Sequence, residues 1–92
     1  MAANDLLALG LYDALSQKGL ICPKDISVVG HNDMPLMDMV TPPLTTVRIE
    51  HRAMGREAAS LLVEMLDRGE QTIRHVVLEP HLVVRGSTTP RP

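Results

Sequence analysis

The chain contains no phenylalanine or tryptophan, and Tyr12 is its only aromatic residue. A core without large rings has to be aliphatic, so leucine, valine, isoleucine and the six methionines must fill it. Methionine fits irregular gaps but specifies packing poorly. With 92 residues, the chain makes one domain at most. Its core is expected to be thin, because a chain of this size buries only about 60 to 70% of its unfolded surface.

Cysteine, long apolar runs and excess charge are also scarce. Cys22 is the single cysteine, which excludes an internal disulfide and suits a reducing compartment. We expect neither a membrane span nor a signal peptide, since no run of about 18 apolar residues and no charged leader pattern occurs. The net charge of −2 gives no global attraction to DNA or to an anionic membrane.

The residue types that carry catalysis form no known motif here. The four histidines lack metal-ligand spacing, and Gly30 stands alone after an apolar run rather than in a nucleotide-binding loop. Asp33 and Asp38 are interpreted as solvated turn residues rather than as an acid/base pair. Arg48, Arg52 and other nearby arginines are interpreted as a solvated helix face, without a DNA-binding pattern. We therefore expect no catalytic residues, no metal, no cofactor and no direct nucleic-acid contact.

Two short β-branched runs, residues 26–29 and 44–47, predict buried strands that are neighbours in one sheet. Turn residues follow the first run, and Pro42-Pro43 precedes the second. In an α/β sheet, ligands bind beyond the carboxyl ends of the strands. Residues 30–33 and 48–51 are therefore plausible ligand-side loops.

Helical patterns flank these strands. Asn4 or Asp5 can cap a first helix, which runs to about Lys18 and ends at Gly19 in a Schellman motif; its many leucines need cover on more than one side. A second helix ends at Gly69. Its predicted buried stripe comprises Met54, Ala58, Leu61, Leu62 and Met65.

Three other segments have less regular patterns. The methionine-rich connector, residues 34–40, is either a loop packed over the sheet end or an exposed, adaptable contact surface, and both alternatives remain open. Residues 74–85 are extended and β-rich around Pro80. The polar tail from Ser87 is predicted to be disordered, with residues 89–92 lying outside the domain.

Five sequence motifs resemble the C-terminal part of the LacI/GalR family of sugar-responsive transcription regulators over residues 2–88. They are AANDLLALGLYDAL, ISVVGHND, PPLTTVR, MGREAASLL and PHLVVRGST. The resemblance implies an α/β, partial periplasmic-binding-protein-like fold with parallel strands and flanking helices, incomplete as an isolated chain. Residues 1–88 would then supply segments of both lobes of an effector-binding and dimerisation domain.

Family members combine an N-terminal helix-turn-helix headpiece with a two-lobed domain that dimerises and closes around a small ligand. The resemblance implies a cytoplasmic homo-oligomer that senses a sugar or sugar derivative and meets operator DNA only through a headpiece absent from this chain. The alternative is a fragment of a periplasmic sugar-binding transport protein. The PPLTTVR motif and the following MG-x-x-A motif resemble the repressors more closely than the transport proteins.

The resemblance also assigns candidate residues. Asp5 would line the effector cleft, with helix capping as the alternative, and Ile49 and His51 are weaker effector-binding candidates. The candidates for the dimer interface are His31, Asn32 and Met34. His31 occupies a position where the family usually has phenylalanine or tyrosine. It is either a tolerated substitution or an interface imidazole whose protonation loosens the dimer as pH falls through about 6.5.

Overall fold

The computed structural model describes residues 1–69 and 74–91, which form two units. The first unit joins Met1–Ile49 to His81–Pro92, and the second comprises Glu50–Pro80. The chain therefore leaves the first unit after its second strand and re-enters it at its third.

The first unit contains a three-stranded sheet in the order β1 (Val29–Asn32), β2 (Thr45–Arg48) and β3 (His81–Val83). β1 and β2 are parallel, whereas β2 and β3 are antiparallel. This confirms the predicted α/β class and the predicted pairing of the two central strands.

The strands begin later than predicted. β1 begins at Val29 rather than at Ile26, and β2 begins one residue later than expected. Ile26 is exposed, whereas Val28 and Leu44, each directly before a strand, are buried. The apolar runs therefore supply residues to the core, while the hydrogen-bonded pairing of the strands extends into the polar residues that follow these runs.

Helix α1 (Asp5–Gln17) has the predicted ends. The Asn4 side chain accepts a hydrogen bond from the Leu7 amide at 2.9 Å, so Asn4 rather than Asp5 is the cap. At the other end Gly19 has φ +71°, and the Leu20 amide donates to the Leu15 carbonyl at 2.9 Å. This confirms the Schellman motif.

The core of the first unit lies between α1 and the sheet, and its buried residues are aliphatic, with Tyr12 packed partly against them. Its buried apolar residues are Ala8, Leu15, Val28, Met37 and Leu44. Met37 belongs to the connector, whereas the neighbouring Leu36 and Met39 are exposed. The connector therefore packs on the core through Met37 and exposes Leu36 and Met39 as a surface. It combines the packed loop and the exposed contact surface that the sequence left open. Leu6 and Leu7 on α1 are also exposed, as expected for a helix that needs cover on a second side.

The start of the predicted disordered tail is ordered. Ser87 is fully buried, and its hydroxyl donates to the Val28 carbonyl at 2.6 Å and accepts from the Thr45 amide at 2.8 Å. Thr89 exchanges hydrogen bonds with the Ser27 hydroxyl. The prediction of disorder is wrong for residues 87–89, because these polar groups satisfy backbone groups beside both parallel strands. Disorder at residues 90–91 stays a prediction, and Pro92 lies outside the described residues.

The second unit contains helix α2 (His51–Arg68), which ends at Gly69 with φ +65°. No residue of α2 is buried, so the predicted buried stripe is wrong for this chain. Within this unit, residues 74–78 line a groove with Met54, Ala58 and Leu61 but do not enclose them.

Ion pairs support one face of α2. Glu64 makes an i,i+4 ion pair with Arg68 at 3.2 Å, and it also accepts two hydrogen bonds from Arg74 at 2.8 and 3.0 Å. The predicted β-rich segment is only partly regular: residues 74–80 form no strand, and β3 is confined to His81–Val83. Residues 70–73 lie outside the described chain.

Replacing Ser87 by alanine tests the ordered tail. The change leaves the buried Thr45 amide without its partner, so we expect a loss of about 1–3 kcal/mol in the free energy of unfolding. Ser16→Ala is the matched control, because Ser16 is exposed, and should stay within about 0.5 kcal/mol of wild type. Urea unfolding followed by circular dichroism measures both. Equal stability of the two variants would contradict the described packing.

Candidate functional site

Three elements of the first unit meet at one edge of the sheet. β1 and β2 are parallel, so their carboxyl ends, Asn32 and Arg48, lie side by side. The N-terminus of α1 reaches the same edge, since Asp5 bonds to residues that follow β1 and lie within β2. Ligands of α/β sheets bind beyond such carboxyl ends. We refer to this region as the carboxyl edge.

The Asp5 carboxylate lies at the centre of this junction and is fully buried, with 0% exposure. One oxygen accepts from the Thr46 hydroxyl at 2.7 Å, and the other accepts from the Met34 amide at 2.6 Å. A single side chain at the start of α1 therefore joins β2 to the connector.

Gly30 leaves the space that this carboxylate occupies. A β-carbon at this position would overlap the Asp5 carboxylate and the Leu44 side chain. Overpacking of this kind forces side chains or backbone to move. The lone glycine in the sequence is thus explained by close packing against Asp5 rather than by a nucleotide-binding loop.

The turn after β1 has unusual backbone geometry. Asn32 has φ +112° and Asp33 has φ +54°, and such conformations cost non-glycine residues about 1–3 kcal/mol each unless their surroundings enforce them. The Asp33 amide donates to the Thr46 hydroxyl at 3.3 Å, and the Met34 amide donates to Asp5. Hydrogen bonds from both neighbouring elements therefore hold this turn.

The Asp33 side chain makes two ion pairs. One oxygen accepts from Arg48 Nε at 2.8 Å, and the other accepts from Arg85 Nη1 at 2.8 Å. Arg85 also donates to the Leu44 carbonyl at 3.0 Å. The Asp33 side chain is only 11% exposed, so the interpretation as a solvated turn residue is wrong. The Arg85 and Arg48 guanidinium groups hold the pKa of Asp33 below its ordinary value, despite the opposing effect of burial.

Thr46 and Arg85 also belong to this region, and no sequence pattern indicated either residue. Arg85 lies 52 positions after Asp33, and no short-range spacing connects them. Arg48 had been assigned to a solvated helix face, but it ends β2 and pairs with Asp33. The parallel pairing of β1 and β2 brings Arg48 to Asp33, and the chain's return through β3 brings Arg85 there.

The predicted effector residues lie in different surroundings. Asp5 is at the carboxyl edge, although both its oxygens already bond to protein groups. Ile49 follows β2 and is half-buried, whereas His51 begins α2 in the second unit. Effector contact by all three stays a prediction.

The predicted interface residues follow one another through the turn. His31 and Asn32 end β1, and Met34 packs partly against the core. All three are half-buried, and their role in a dimer stays a prediction.

Other chemically active groups support packing. The Cys22 thiol donates to the Ser87 carbonyl at 3.4 Å, and burial raises its pKa, so it is a packed thiol. Among residues 1–69 and 74–91, no three histidine, cysteine or acidic residues are grouped as a metal site requires. Neither described helix combines the length and apolar composition needed to cross a bilayer.

Comparison with known proteins identifies the class of this domain. The model of the periplasmic binding protein-like domain family matches residues 1–88. The lactose operon repressor of Rhizobium radiobacter is 44% identical over 87 residues, which cover 95% of this chain and 76% of that protein.

Solved structures of transcription regulators are also similar to this chain. The transcriptional regulator CelR in complex with cellobiose is 38% identical, with a TM-score of 0.88 over 94% of this chain and 26% of its own. The lac repressor dimer bound to operator and the anti-inducer ONPF is 36% identical, with a TM-score of 0.83 over 94% of this chain and 30% of its own. Against other curated relatives the chain spans about a quarter of their length.

The chain is thus a periplasmic-binding-protein-like domain segment. It belongs to the LacI family of transcription regulators, which are not enzymes, and corresponds to part of their effector-binding domain. The comparisons do not favour the alternative of a periplasmic transport protein.

Replacing Gly30 by alanine tests the close packing of Asp5. We expect a loss of about 1–3 kcal/mol in the free energy of unfolding, because the added methyl group overpacks the junction. Combined with Asp5→Ala, the glycine substitution should cost less than it does alone, since residues in contact are not additive. A double-mutant cycle in urea measures this coupling. Strict additivity would contradict the described contact.

Acid unfolding tests the Asp33 ion pairs. The pKa of Asp33 is lowered by folding, so its stabilising contribution is present above the ordinary aspartate pKa of about 3.9 and is lost as pH falls through the lower folded pKa. We expect Asp33→Asn to cost about 1.5–3 kcal/mol at pH 7 and much less at pH 2. A cost that does not change between these pH values would contradict a charged Asp33.

Proposed function

We propose that this chain contributes to effector sensing and dimerisation in a LacI-type transcription regulator, and that the effector is a sugar or sugar derivative. The observation that carries the proposal is the convergence of α1, β1 and β2 on one hydrogen-bonded polar edge. In the proposed protein, DNA binding belongs to a helix-turn-helix headpiece outside these residues.

The carboxyl edge suits a small polar ligand. It combines the N-terminus of a helix with the ends of two parallel strands, the place where α/β folds bind ligands. Its turn is fixed in advance by Asp5 and Thr46, which lowers the ordering cost of binding. Asn32 and Arg48 end the two strands and flank the proposed effector position. We assign Asp5 a supporting role in this arrangement, since its carboxylate is buried and already bonded.

A sugar is the effector class favoured by the relatives. One is named as a lactose operon repressor, and another was solved in complex with cellobiose. Regulators that bind operator DNA act where the chromosome is, so we further propose a cytoplasmic protein. The lac repressor relative is described as bound to its operator.

Exposed apolar side chains support the dimerisation proposal. Leu36 is 65% exposed and Met39 is 74% exposed, and both lie in the connector directly after the predicted interface residues. Methionine and leucine on an exposed loop form an adaptable contact surface. The lac repressor relative is described as a dimer. We propose that a second copy of the regulator covers this connector.

A chimera tests effector sensing. Residues 1–88 replace the corresponding segment of the cellobiose-binding relative, and binding of cellobiose and lactose is measured by titration calorimetry. We expect the chimera to bind at least one sugar, and Gly30→Ala to weaken that binding at least about tenfold by disturbing the carboxyl edge. Ser60→Ala is the control, because Ser60 is exposed on α2 and lies outside its apolar stripe.

Two results would contradict effector sensing at this edge. One is a chimera with an intact circular dichroism spectrum that binds neither sugar. The other is equal sugar affinity in the Gly30→Ala and Ser60→Ala chimeras.

Sedimentation tests dimerisation. We expect the 10.1 kDa chain to self-associate with increasing concentration, and Leu36→Asp combined with Met39→Asp to shift it towards monomer, since burying unpaired charges at an interface is costly. Ile21→Asp is the matched control: Ile21 is 54% exposed but lies beyond the C-terminal end of α1. A chain that stays monomeric throughout the series would refute self-association through this connector.

A further inference from the structure

The Asp33 ion pairs connect two places where the chain passes between its units. Arg48 is the last residue of β2, and only Ile49 follows it before the second unit begins. Arg85 lies four positions after His81, where the chain re-enters the first unit. Both arginines donate to opposite oxygens of the same carboxylate at 2.8 Å.

Arg85 is fixed at more than one point. Its guanidinium also donates to the Leu44 carbonyl, and its backbone amide donates to the Thr45 hydroxyl at 2.8 Å. Its side chain is 15% exposed. The Arg48 side chain, by contrast, is 47% exposed and forms an ion pair with Asp33. Removing the Asp33 charge therefore releases the exposed Arg48 side chain, where the chain leaves the first unit. It also removes one partner of the mostly buried Arg85 side chain, where the chain returns.

We infer that Asp33 is a positioning residue whose charge holds Arg48 and Arg85 together, fixing the points at which the chain leaves and re-enters the first unit. The carboxylate lies on a turn with left-handed backbone, so its position depends on that turn rather than on a regular strand. The effect of Asp33 on effector binding rests on the proposed function. The pair of ion pairs that joins Asp33 to Arg48 and Arg85, which we call the clamp, does not depend on it.

The charges around this clamp come from every neighbouring element. Arg48 and Arg85 face Asp33 directly, Asp5 reaches its amide through the Thr46 hydroxyl, and His81 is paired opposite Arg48 in β3. The two arginines outnumber the one carboxylate that they share. Protonation of Asp33 would leave both cations close together without the anion between them, which opens the clamp at low pH.

Amide hydrogen exchange on the complete 92-residue chain tests this inference. Asp33→Asn should accelerate exchange of the Arg48 and Arg85 backbone amides at least about tenfold relative to the Ala8 amide in α1, as expected when charge-assisted hydrogen bonds are lost. Asp33→Glu keeps the charge and should restore at least half of the protection. Asp38→Asn removes the same charge from an exposed position in the connector and should change neither amide.

Equal exchange in Asp33→Asn and Asp38→Asn would overturn the inference, and so would a Glu variant as unprotected as the Asn variant. If Asp33→Asn does not fold, an acid titration of the wild type decides. The Nε–H resonance of Arg48 and the Nη1–H resonances of Arg85 should then shift with the midpoint of the Asp33 carboxyl, and separate midpoints would refute a shared clamp. None of these measurements contains a sugar, so failure of the chimera leaves this result unaffected.

Discussion

The buried Asp5 carboxylate is the interaction on which the first unit depends. It lies at the start of α1 yet bonds to the Thr46 hydroxyl in β2 and to the Met34 amide after β1. A buried carboxylate is tolerated only when its hydrogen bonds are satisfied, and here those bonds tie three elements together. Gly30 provides the space for it. The shape of the carboxyl edge thus follows from one acidic side chain and one missing β-carbon.

A second layer of polar contacts extends from this junction. The Thr46 hydroxyl accepts a hydrogen bond from the Asp33 amide, and the Asp33 carboxylate forms ion pairs with Arg48 and Arg85. Ser87 satisfies backbone groups at the other end of the strands. With five small or medium aliphatic residues as its buried apolar core, the unit relies on these bonds to specify its geometry. The exposed apolar faces of α1 and α2 agree with a segment that covers only part of its longer relatives.

The sequence predicted what depends on local signals. Helix ends at Gly19 and Gly69 and the paired central strands follow from capping, turn or composition rules. The long-range polar network could not be predicted, because Arg85 and Ser87 reach their partners across more than 40 positions. Their neighbourhood is rich in glycine, proline and polar residues, which resembles a loose tail when tertiary contacts are unknown. The stripe on α2 showed the opposite error, since apolar periodicity indicates a face suited to burial but not what covers it.

The central claim is that Asp5 imposes the left-handed turn at Asn32 and Asp33. The most direct measurement is the backbone φ of these two residues, from NMR scalar couplings and chemical shifts, in wild type and in Asp5→Ala. We expect positive φ at both positions in wild type and averaging towards ordinary negative values in the variant, while the amides of α1 from Ala8 to Leu15 keep their helical shifts. Unchanged positive φ at both residues in a folded Asp5→Ala chain would contradict this claim.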